Sequence, residues 1–189
     1  MVSSVHVIGA GLIGTSIGIG LRGAGVTVTI EDADSGSEAV ARKVIADEQH
    51  HPDEPQLVVV AVPPLATVAV ARDALARFPH AVVTDVSSVK APVVSGVASD
   101  RFVGSHPMAG REISGARAAQ GDLFRARPGA VSPGTAALAP VALVRAGAGL
   151  LGADAVVMDA DAHDAAVTRV SHVPQAVASA TATRSGSSR

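Results

Sequence analysis

Three glycines near the N-terminus constrain the fold of this chain more than any other feature. Gly9, Gly11 and Gly14 follow the apolar run Val5 to Ile8 and give the spacing G-x-G-x-x-G. This spacing suits a strand that turns directly into a helix, because glycine permits the tight turn, a close approach of the backbone to a ligand, and tight helix–strand packing. The motif therefore predicts a helix N-terminus that binds the diphosphate of a dinucleotide. We expect Leu12 and Ile13, which open that helix, to contact the cofactor too.

An acidic residue after the second apolar run supports this interpretation. Val26 to Ile30 is followed by Glu31 and Asp32, and Asp32 lies 18 residues beyond Gly14. A carboxylate about 20 residues after the glycines accepts hydrogen bonds from the ribose hydroxyls and repels a 2′-phosphate. No arginine follows at once, so the sequence favours NAD over NADP. The alternative is a glycine-rich turn that binds nothing.

Apolar runs alternate with helix-like segments along most of the chain, a pattern typical of βαβ units and a parallel sheet. We predict a Rossmann-type α/β fold with a doubly wound, mostly parallel sheet over residues 1–158, followed by the start of a helical second domain over 159–189. A long loop with a short helix is expected between Met108 and Pro128. The predicted strands are 5–8, 26–30, 57–62, 81–85, 101–104 and 155–158. The predicted helices are one that follows the glycines and reaches about Gly23, 37–48, one that follows Pro64 and reaches about Phe78, 141–151 and 161–180.

Composition excludes several classes of function. Hydrophobic residues make up 48% of the 189 residues, which is enough for a sizeable core. A net charge of −2 and an aromatic content of 2% argue against nucleic acid and anionic membranes as partners. Without cysteine, the chain has no disulfide and no thiolate ligand for zinc. No apolar run approaches the ~20 residues of a membrane span, and no secretion signal is recognisable, so we expect a soluble, cytoplasmic protein.

Candidate chemistry lies where the predicted strands end, because doubly wound sheets bind ligands at the carboxyl ends of their strands. Val62 and Pro63 follow the third strand and are expected to contact the cofactor. His106 follows a later strand, and a histidine beside a nicotinamide is suited to take a hydroxyl proton as hydride leaves. The alternative for His106 is an imidazole in a surface loop. His163 and His172 are nine residues apart, which does not match a zinc-binding pair, and no metal site is predicted.

Motifs spread in order along the chain resemble the prephenate dehydrogenase family. They are GAGLIGTS at 9–16, VAVPP at 60–64, TDVSSVK at 84–90, SHPMAGREISG at 105–115, DAHD at 161–164 and SHVPQ at 171–175. The resemblance implies NAD-dependent oxidative decarboxylation of prephenate or arogenate in tyrosine biosynthesis. It implies that His106 is the catalytic histidine, hydrogen-bonded to the ring hydroxyl, and that Ser88 orients it. It also implies substrate contacts for Glu112, Ser171 and Gln175.

The chain departs from the family pattern at several points. Ser87 replaces a usual glycine, Gly129 a common tryptophan, and Gln175 a second histidine found in many members, which leaves prephenate or arogenate open. Family members continue into a helical dimerisation domain that supplies an arginine for the ring carboxylate, and nothing in this sequence matches that segment. Homodimers are expected for the family, but the dimer domain is largely missing here. Arg111 is a conceivable substitute for the arginine, and a solvated side chain is the other interpretation.

Two other functions remain open from the sequence. One is a dehydrogenase of the β-hydroxyacid type, although these enzymes use a lysine of the second domain as acid and base. The other is a non-catalytic NAD-binding remnant, which the unpatterned tail TATRSGSSR favours and the presence of both Ser88 and His106 disfavours.

Overall fold

The computed structural model describes residues 1–45, 54–109 and 115–169. Within these ranges the chain forms seven strands and six α-helices in alternation, with one short 3₁₀-helix. The strands are β1 (Ser4–Ile8), β2 (Thr27–Glu31), β3 (Leu57–Val60), β4 (Val82–Asp85), β5 (Phe102–Pro107), β6 (Pro128–Ser132) and β7 (Asp154–Val157). The helices are α1 (Leu12–Gly23), α2 (Ser35–Ile45), α3 (Pro64–Arg77), α4 (Ala91–Val97), α5 (Leu138–Leu150) and α6 (Ala160–Val167), and the 3₁₀-helix is Ala116–Ala118.

The strands form one sheet in the order β2-β1-β3-β4-β5-β6-β7. All neighbouring strands are parallel except β5 and β6, which are antiparallel. After β1 the chain first adds β2 on one side and then β3 on the other, so the strand order reverses between β1 and β3. Such a switch point opens a crevice at the carboxyl ends of the two strands, where doubly wound sheets bind ligands. The expected Rossmann-type, mostly parallel sheet is confirmed.

Two hydrophobic layers cover the sheet, one on each face. One core packs the sheet against α1, α2 and α5 and includes Ile17, Ala41 and Val144. The other packs it against α3 and α4 and includes Ala71 and Val93. β3 and β4 are buried at every position, which explains why the sequence of β3 is an uninterrupted run of apolar residues.

The structure differs from the sequence prediction at two elements. α4 was not predicted, because its sequence APVVSGV contains Pro92, Gly96 and three valines, all poor helix formers. Pro92 is tolerated because it lies in the first turn, where its missing N–H costs nothing. β6 was also not predicted, since it begins with Pro128 and Gly129. Both elements depend on tertiary neighbours: α4 packs on α3 and β5, and β6 pairs with β5 and β7.

The boundaries of other predicted elements shift by a few residues. β3 ends at Val60 rather than at residue 62, and β5 continues through Ser105 and His106 to Pro107. α2 ends at Ile45, and the rest of its predicted span lies outside the described residues. The predicted helix over 161–180 is represented by α6, and its part beyond residue 169 is likewise outside them. None of the helices in the described ranges is long and apolar enough to cross a membrane.

Candidate active site

The glycine loop connects β1 to α1 at the crevice. Gly9 has a φ of +114°, and a Cβ there would lie 2.3 Å from the carbonyl oxygen of Ala61. A Cβ on Gly14 would lie 2.0 Å from the carbonyl oxygen of Gly9. Both positions therefore require glycine. Gly9 needs it for its positive φ and its close approach to Ala61, and Gly14 needs it so that α1 can pack on the turn.

Gly11 has different surroundings, and they favour a ligand. Apart from Gly11 itself and its two chain neighbours, no residue has an atom within 4 Å of the position that a Cβ on Gly11 would take. Gly11 is also the N-cap residue of α1, and no side chain caps this helix end. The first N–H groups of α1 are thus left for another partner, next to open space. This arrangement fits the diphosphate of a dinucleotide.

Asp32 lies directly beside the glycine loop. Its Oδ2 accepts a hydrogen bond from the backbone N–H of Ala10 at 2.6 Å, and its Oδ1 accepts one from Asp34 at 2.8 Å. Each carboxylate oxygen can accept more than one hydrogen bond, so both can still receive ribose hydroxyls. The structure therefore brings Asp32 to the loop that the sequence predicted it would serve. The α1 N-terminus and the Asp32 carboxylate thus lie side by side, as a dinucleotide site requires.

The other predicted cofactor contacts lie along the same crevice. Leu12 and Ile13 open α1 and are half-buried, and Ile13 also packs on the core beneath the helix. Val62 is half-buried and Pro63 is exposed, in the turn between β3 and α3. The structure places these four residues at the carboxyl ends of β1 and β3, the two strands that flank the switch point.

His106 is near the carboxyl end of β5, at the same edge of the sheet. Its ring is half-buried, and its Nδ1 lies 3.0 Å from Nε2 of His163 on α6. The two rings meet edge to face, with centroids 5.2 Å apart and planes at 82°. His163 is almost fully buried, with 1% of its surface exposed, and its Nδ1 lies 2.8 Å from Oδ1 of Asp164. His106 is therefore not an isolated surface imidazole.

Asp164 also anchors the segment that follows β4. Its carboxylate accepts hydrogen bonds from the backbone N–H groups of Lys90 at 2.7 Å and Ala91 at 2.9 Å. Lys90 is completely buried; its ammonium group pairs with the buried carboxylate of Asp85 and donates to the carbonyl oxygen of Ser105 at 2.7 Å. These contacts join β4, β5, α4 and α6 immediately below His106.

Burial and nearby charge shift the pKa values of these groups. The pKa of His106 falls from 6.5 to about 4, first because burial disfavours the imidazolium, then because a positive charge on this ring is unfavourable beside His163 and Lys90. Burial also lowers the pKa of Lys90, although Asp85 opposes this effect. Burial acts to raise the pKa of Asp164, yet hydrogen bonds from Lys90, Ala91 and His163 bring it below its usual value. At neutral pH, His106 is therefore uncharged and Asp164 is a carboxylate.

The remaining predicted site residues are located less directly. Ser88 is exposed in the turn after β4, and the hydrogen bond that the structure describes for the ring of His106 goes to His163. Glu112, Ser171 and Gln175, together with Arg111, lie outside the described residues. Sequence reasoning gave His163 and Asp164 no role, although both occur in the DAHD motif. His163 lies 57 residues from His106 in the chain, so only a predicted contact between α6 and β5 could have linked them.

Two cavities lie near this edge of the sheet. An apolar cavity of about 70 Å³ lies under α5 and is lined by residues that include Ser105, Pro107 and Gly129. A larger, polar depression of about 460 Å³ follows the strand that carries His106 and is lined by residues that include Met108, Gln120, Arg125 and Arg127. Within the described ranges, no group of three or more His, Asp or Glu side chains is arranged to hold a metal ion.

Fold and site together define a dinucleotide-binding domain, and comparison with known proteins gives its family. A profile described as the nucleotide-binding domain of prephenate dehydrogenase matches residues 17–159. A protein of Streptomyces niveus, described as a probable prephenate dehydrogenase, is 39% identical over an alignment of 180 residues, and the match covers 89% of this chain and 49% of that protein. The chain therefore belongs to the prephenate dehydrogenase family. It spans about half the length of the curated relatives it matches.

Solved structures agree with this assignment. Prephenate dehydrogenase from Aquifex aeolicus, in complex with hydroxyphenyl propionate and NAD⁺, is 26% identical and superimposes with a TM-score of 0.86 over 97% of this chain and 69% of that one. Arogenate dehydrogenase from Synechocystis is 25% identical, with a TM-score of 0.87 over 98% of this chain and 70% of that one. The α/β fold seen here is the fold of these two enzymes.

Proposed function

We propose that the protein is an NAD-dependent dehydrogenase that oxidatively decarboxylates prephenate or arogenate in tyrosine biosynthesis, acting in the cytoplasm. The observation that carries the proposal is the neutral imidazole of His106, held by His163 at the sheet edge that also carries the glycine loop. Family membership supplies the substrate class. The complex of the A. aeolicus enzyme with NAD⁺ supports the choice of cofactor.

The residues of this chain divide into a cofactor part and a substrate part. We propose that Gly9, Gly11 and Gly14 let the diphosphate approach the N-terminus of α1, and that Asp32 binds the adenosine ribose. Because a second negative charge beside Asp32 is unfavourable, NAD is preferred to NADP. The further cofactor contacts we propose are Leu12, Ile13, Val62 and Pro63.

His106 performs the proton chemistry in this proposal. Bound NAD would supply the acceptor for the hydride that leaves the hydroxyl-bearing ring carbon. A neutral His106 accepts the hydroxyl proton as the ring carbonyl develops, which is the role of a general base. Loss of the ring carboxylate as CO₂ then gives an aromatic phenolate, which takes the proton back from His106 to become the phenol. The protein therefore mainly has to position and polarise the substrate. Ser88 is proposed to lie beside the nicotinamide, and Glu112, Ser171 and Gln175 to contact the substrate.

We also propose that residues 1–158 form the dinucleotide-binding domain and that residues 159–189 begin a helical second domain. The change in sequence pattern after β7 supports this boundary, since α6 opens with the capping residue Asp159. The described part of this second segment, α6, nevertheless packs on α4 and β6 of the first.

The direct test is NADH formation by the purified chain with NAD and either prephenate or arogenate. We expect turnover with one of these substrates and a loss of about 100-fold or more in His106→Asn, because general-base catalysis contributes about 10²–10⁴-fold. NAD titration of both proteins serves as the control, since the substitution lies outside the cofactor loop. NAD binding without turnover on either substrate contradicts the proposed activity and indicates a non-catalytic NAD-binding domain.

A further inference from the structure

Three side chains form a series of hydrogen bonds that begins on α6 and ends at the proposed general base. The first is Asp164, whose two carboxylate oxygens are fixed by the backbone N–H groups of Lys90 and Ala91 at 2.7 and 2.9 Å. These hydrogen bonds hold the carboxylate in one orientation and favour its charged form. Asp164 is therefore a fixed hydrogen-bond acceptor.

The second member of the series is His163, and its contacts determine which nitrogen carries its proton. Nδ1 lies 2.8 Å from Oδ1 of Asp164, and a carboxylate can only accept a hydrogen bond. Nδ1 of His163 therefore carries hydrogen. In a neutral imidazole the lone pair is then on Nε2, the atom that lies 3.0 Å from Nδ1 of His106.

The third member is His106, whose tautomer follows from the second. A lone pair on Nε2 of His163 requires a donor opposite, so Nδ1 of His106 carries hydrogen and its Nε2 has the free lone pair. The positive charge of Lys90, balanced by Asp85, and the depressed pKa of His106 are consistent with a neutral ring at this position. Because Asp164 can only accept, it determines the donor and the acceptor in each hydrogen bond of the series.

We propose that His163, held by Asp164, is a positioning residue that fixes His106 as the Nδ1–H tautomer and leaves Nε2 to accept the substrate's hydroxyl proton. The catalytic use of this tautomer rests on the proposed function. The tautomer itself does not depend on turnover and can be observed without substrate. In the reaction, the hydroxyl proton moves to Nε2 of His106. The resulting imidazolium then donates through Nδ1 to the neutral His163, whose own Nδ1–H stays paired with the Asp164 carboxylate.

The primary experiment is ¹⁵N NMR of the imidazole nitrogens in the full chain at neutral pH, with His106 assigned by its absence in His106→Asn. We expect a protonated Nδ1 and an unprotonated Nε2 for His106. The opposite pattern, with hydrogen on Nε2, would mean that His163 donates to His106 and would overturn the proposal. Because this measurement uses the unsubstituted chain, it gives an answer even where a variant of the buried His163 does not fold.

Two variants of His163 separate positioning from simple packing. In His163→Gln the amide oxygen is near the former Nε2 and can still accept from His106, whereas in His163→Asn the shorter amide cannot reach it. We expect the Asn variant to lose about 10- to 100-fold in kcat with little change in KM, the loss typical when a residue that orients a metal-bound imidazole is removed. The Gln variant should keep the NMR pattern and stay within a few-fold of the original rate. Equal rates in the two variants would refute the positioning role.

The outcomes distinguish this inference from the proposed function. The expected tautomer in a chain without turnover would support the positioning of His106 while contradicting the proposed activity. Turnover in a chain whose His106 carries its hydrogen on Nε2 would support the activity and refute the positioning. Thermal unfolding of each variant, compared with the unsubstituted chain, shows whether a lost rate reflects a lost fold.

Discussion

Single residues in the glycine loop are constrained by different neighbours, although they belong to one motif. Gly14 is required by the backbone of Gly9, whereas Gly11 faces open space at the helix N-terminus. Packing therefore explains the glycine at position 14, whereas the proposed diphosphate contact would explain the glycine at position 11. This difference can be measured, because the two substitutions affect different properties of the protein.

We expect Gly11→Ala to leave the free energy of unfolding unchanged within about 1 kcal/mol, the cost of a Gly–Ala exchange at a permissive site, but to weaken NAD binding. Gly14→Ala should destabilise the fold itself, because its Cβ would meet a backbone oxygen at 2.0 Å. Urea unfolding and NAD titration of both variants check this pair. Undiminished NAD affinity in Gly11→Ala would contradict a diphosphate at this position.

The lowered pKa values of His106 and Glu31 predict how the free energy of unfolding varies with pH. The pKa of His106 is lowered from 6.5 to about 4, so the unfolded chain binds more protons in this interval. Its contribution to stability is therefore fully present above pH 6.5 and is lost as the pH falls toward 4.

Contact with His6 lowers the pKa of Glu31 from 4.5 to about 2, with Arg77 assisting and partial burial opposing. That contribution is present above pH 4.5 and is lost as the pH falls toward 2.

Urea unfolding across this pH range, with two variants, separates the two effects. His106→Asn should flatten the dependence of the unfolding free energy between pH 6.5 and 4, and Glu31→Gln should flatten it between pH 4.5 and 2. A His106→Asn protein with the same slope as the unsubstituted chain would show that His106 is not buried as a neutral ring.

At the scale of elements, β6 shows how tertiary pairing overrides local sequence. Pro128 and Gly129 disfavour a strand, yet both pair with residues of β7, and Gly129 also faces Pro107 on β5. Gly129 lines the apolar cavity of about 70 Å³, and a Cβ there would make only ordinary contacts, the nearest at 3.6 Å from the carbonyl oxygen of His106. This strand therefore has room for a side chain that its sequence does not supply.

Gly129→Ala is expected to stabilise the protein by about 0.4–1 kcal/mol, mainly by restricting the unfolded chain. Gly104→Ala on the adjacent β5 is the matched control, because its Cβ would lie 2.7 Å from Cγ2 of Val94 and should destabilise the fold. Midpoints of urea unfolding for the two variants should move in opposite directions. A lower midpoint for Gly129→Ala would show that β6 requires glycine at this position.

At the scale of the whole molecule, α6 connects the last part of the described chain to the site around His106. It buries His163 and Val167, and through Asp164 it holds the start of α4. The N–H groups of Gly9 and Ala10 donate to the backbone of β2 and to Asp32, and Asp32 makes further hydrogen bonds with residues at and just before the start of α2. None of these hydrogen bonds involves α6. We therefore expect cofactor binding and positioning of His106 to be separable within one fold.

A chain that ends at Asp159 tests this separation. We expect it to lose about 2–4 kcal/mol of stability, since burial of one aliphatic side chain contributes about 1.5–3 kcal/mol and a set of hydrogen bonds is also lost. NAD affinity should remain close to that of the full chain, because the cofactor loop is untouched. Urea unfolding and NAD titration measure the two quantities. Loss of NAD binding in a folded, shortened chain would show that α6 supports the cofactor site as well.

The sequence by itself determined the geometry of the proposed cofactor half of the site. Gly9, Gly14 and Asp32 act through the turn between one strand and one helix and through the end of the next strand, so their spacing along the chain reports their geometry directly. The alternation of apolar runs likewise predicted the parallel part of the sheet except β6, because a central strand covered on both faces, such as β3, is a continuous apolar run.

Only the tertiary structure decided how His106 is held. Its partner His163 comes from α6, 57 residues later, and the anchor of that partner is the backbone of α4, a helix that local propensity does not favour. The local sequence pattern of a segment does not indicate which distant segment it will contact in the folded chain. The physical reason is that α4 and α6 obtain their stability, and their relative position, from packing on the sheet rather than from their own sequences.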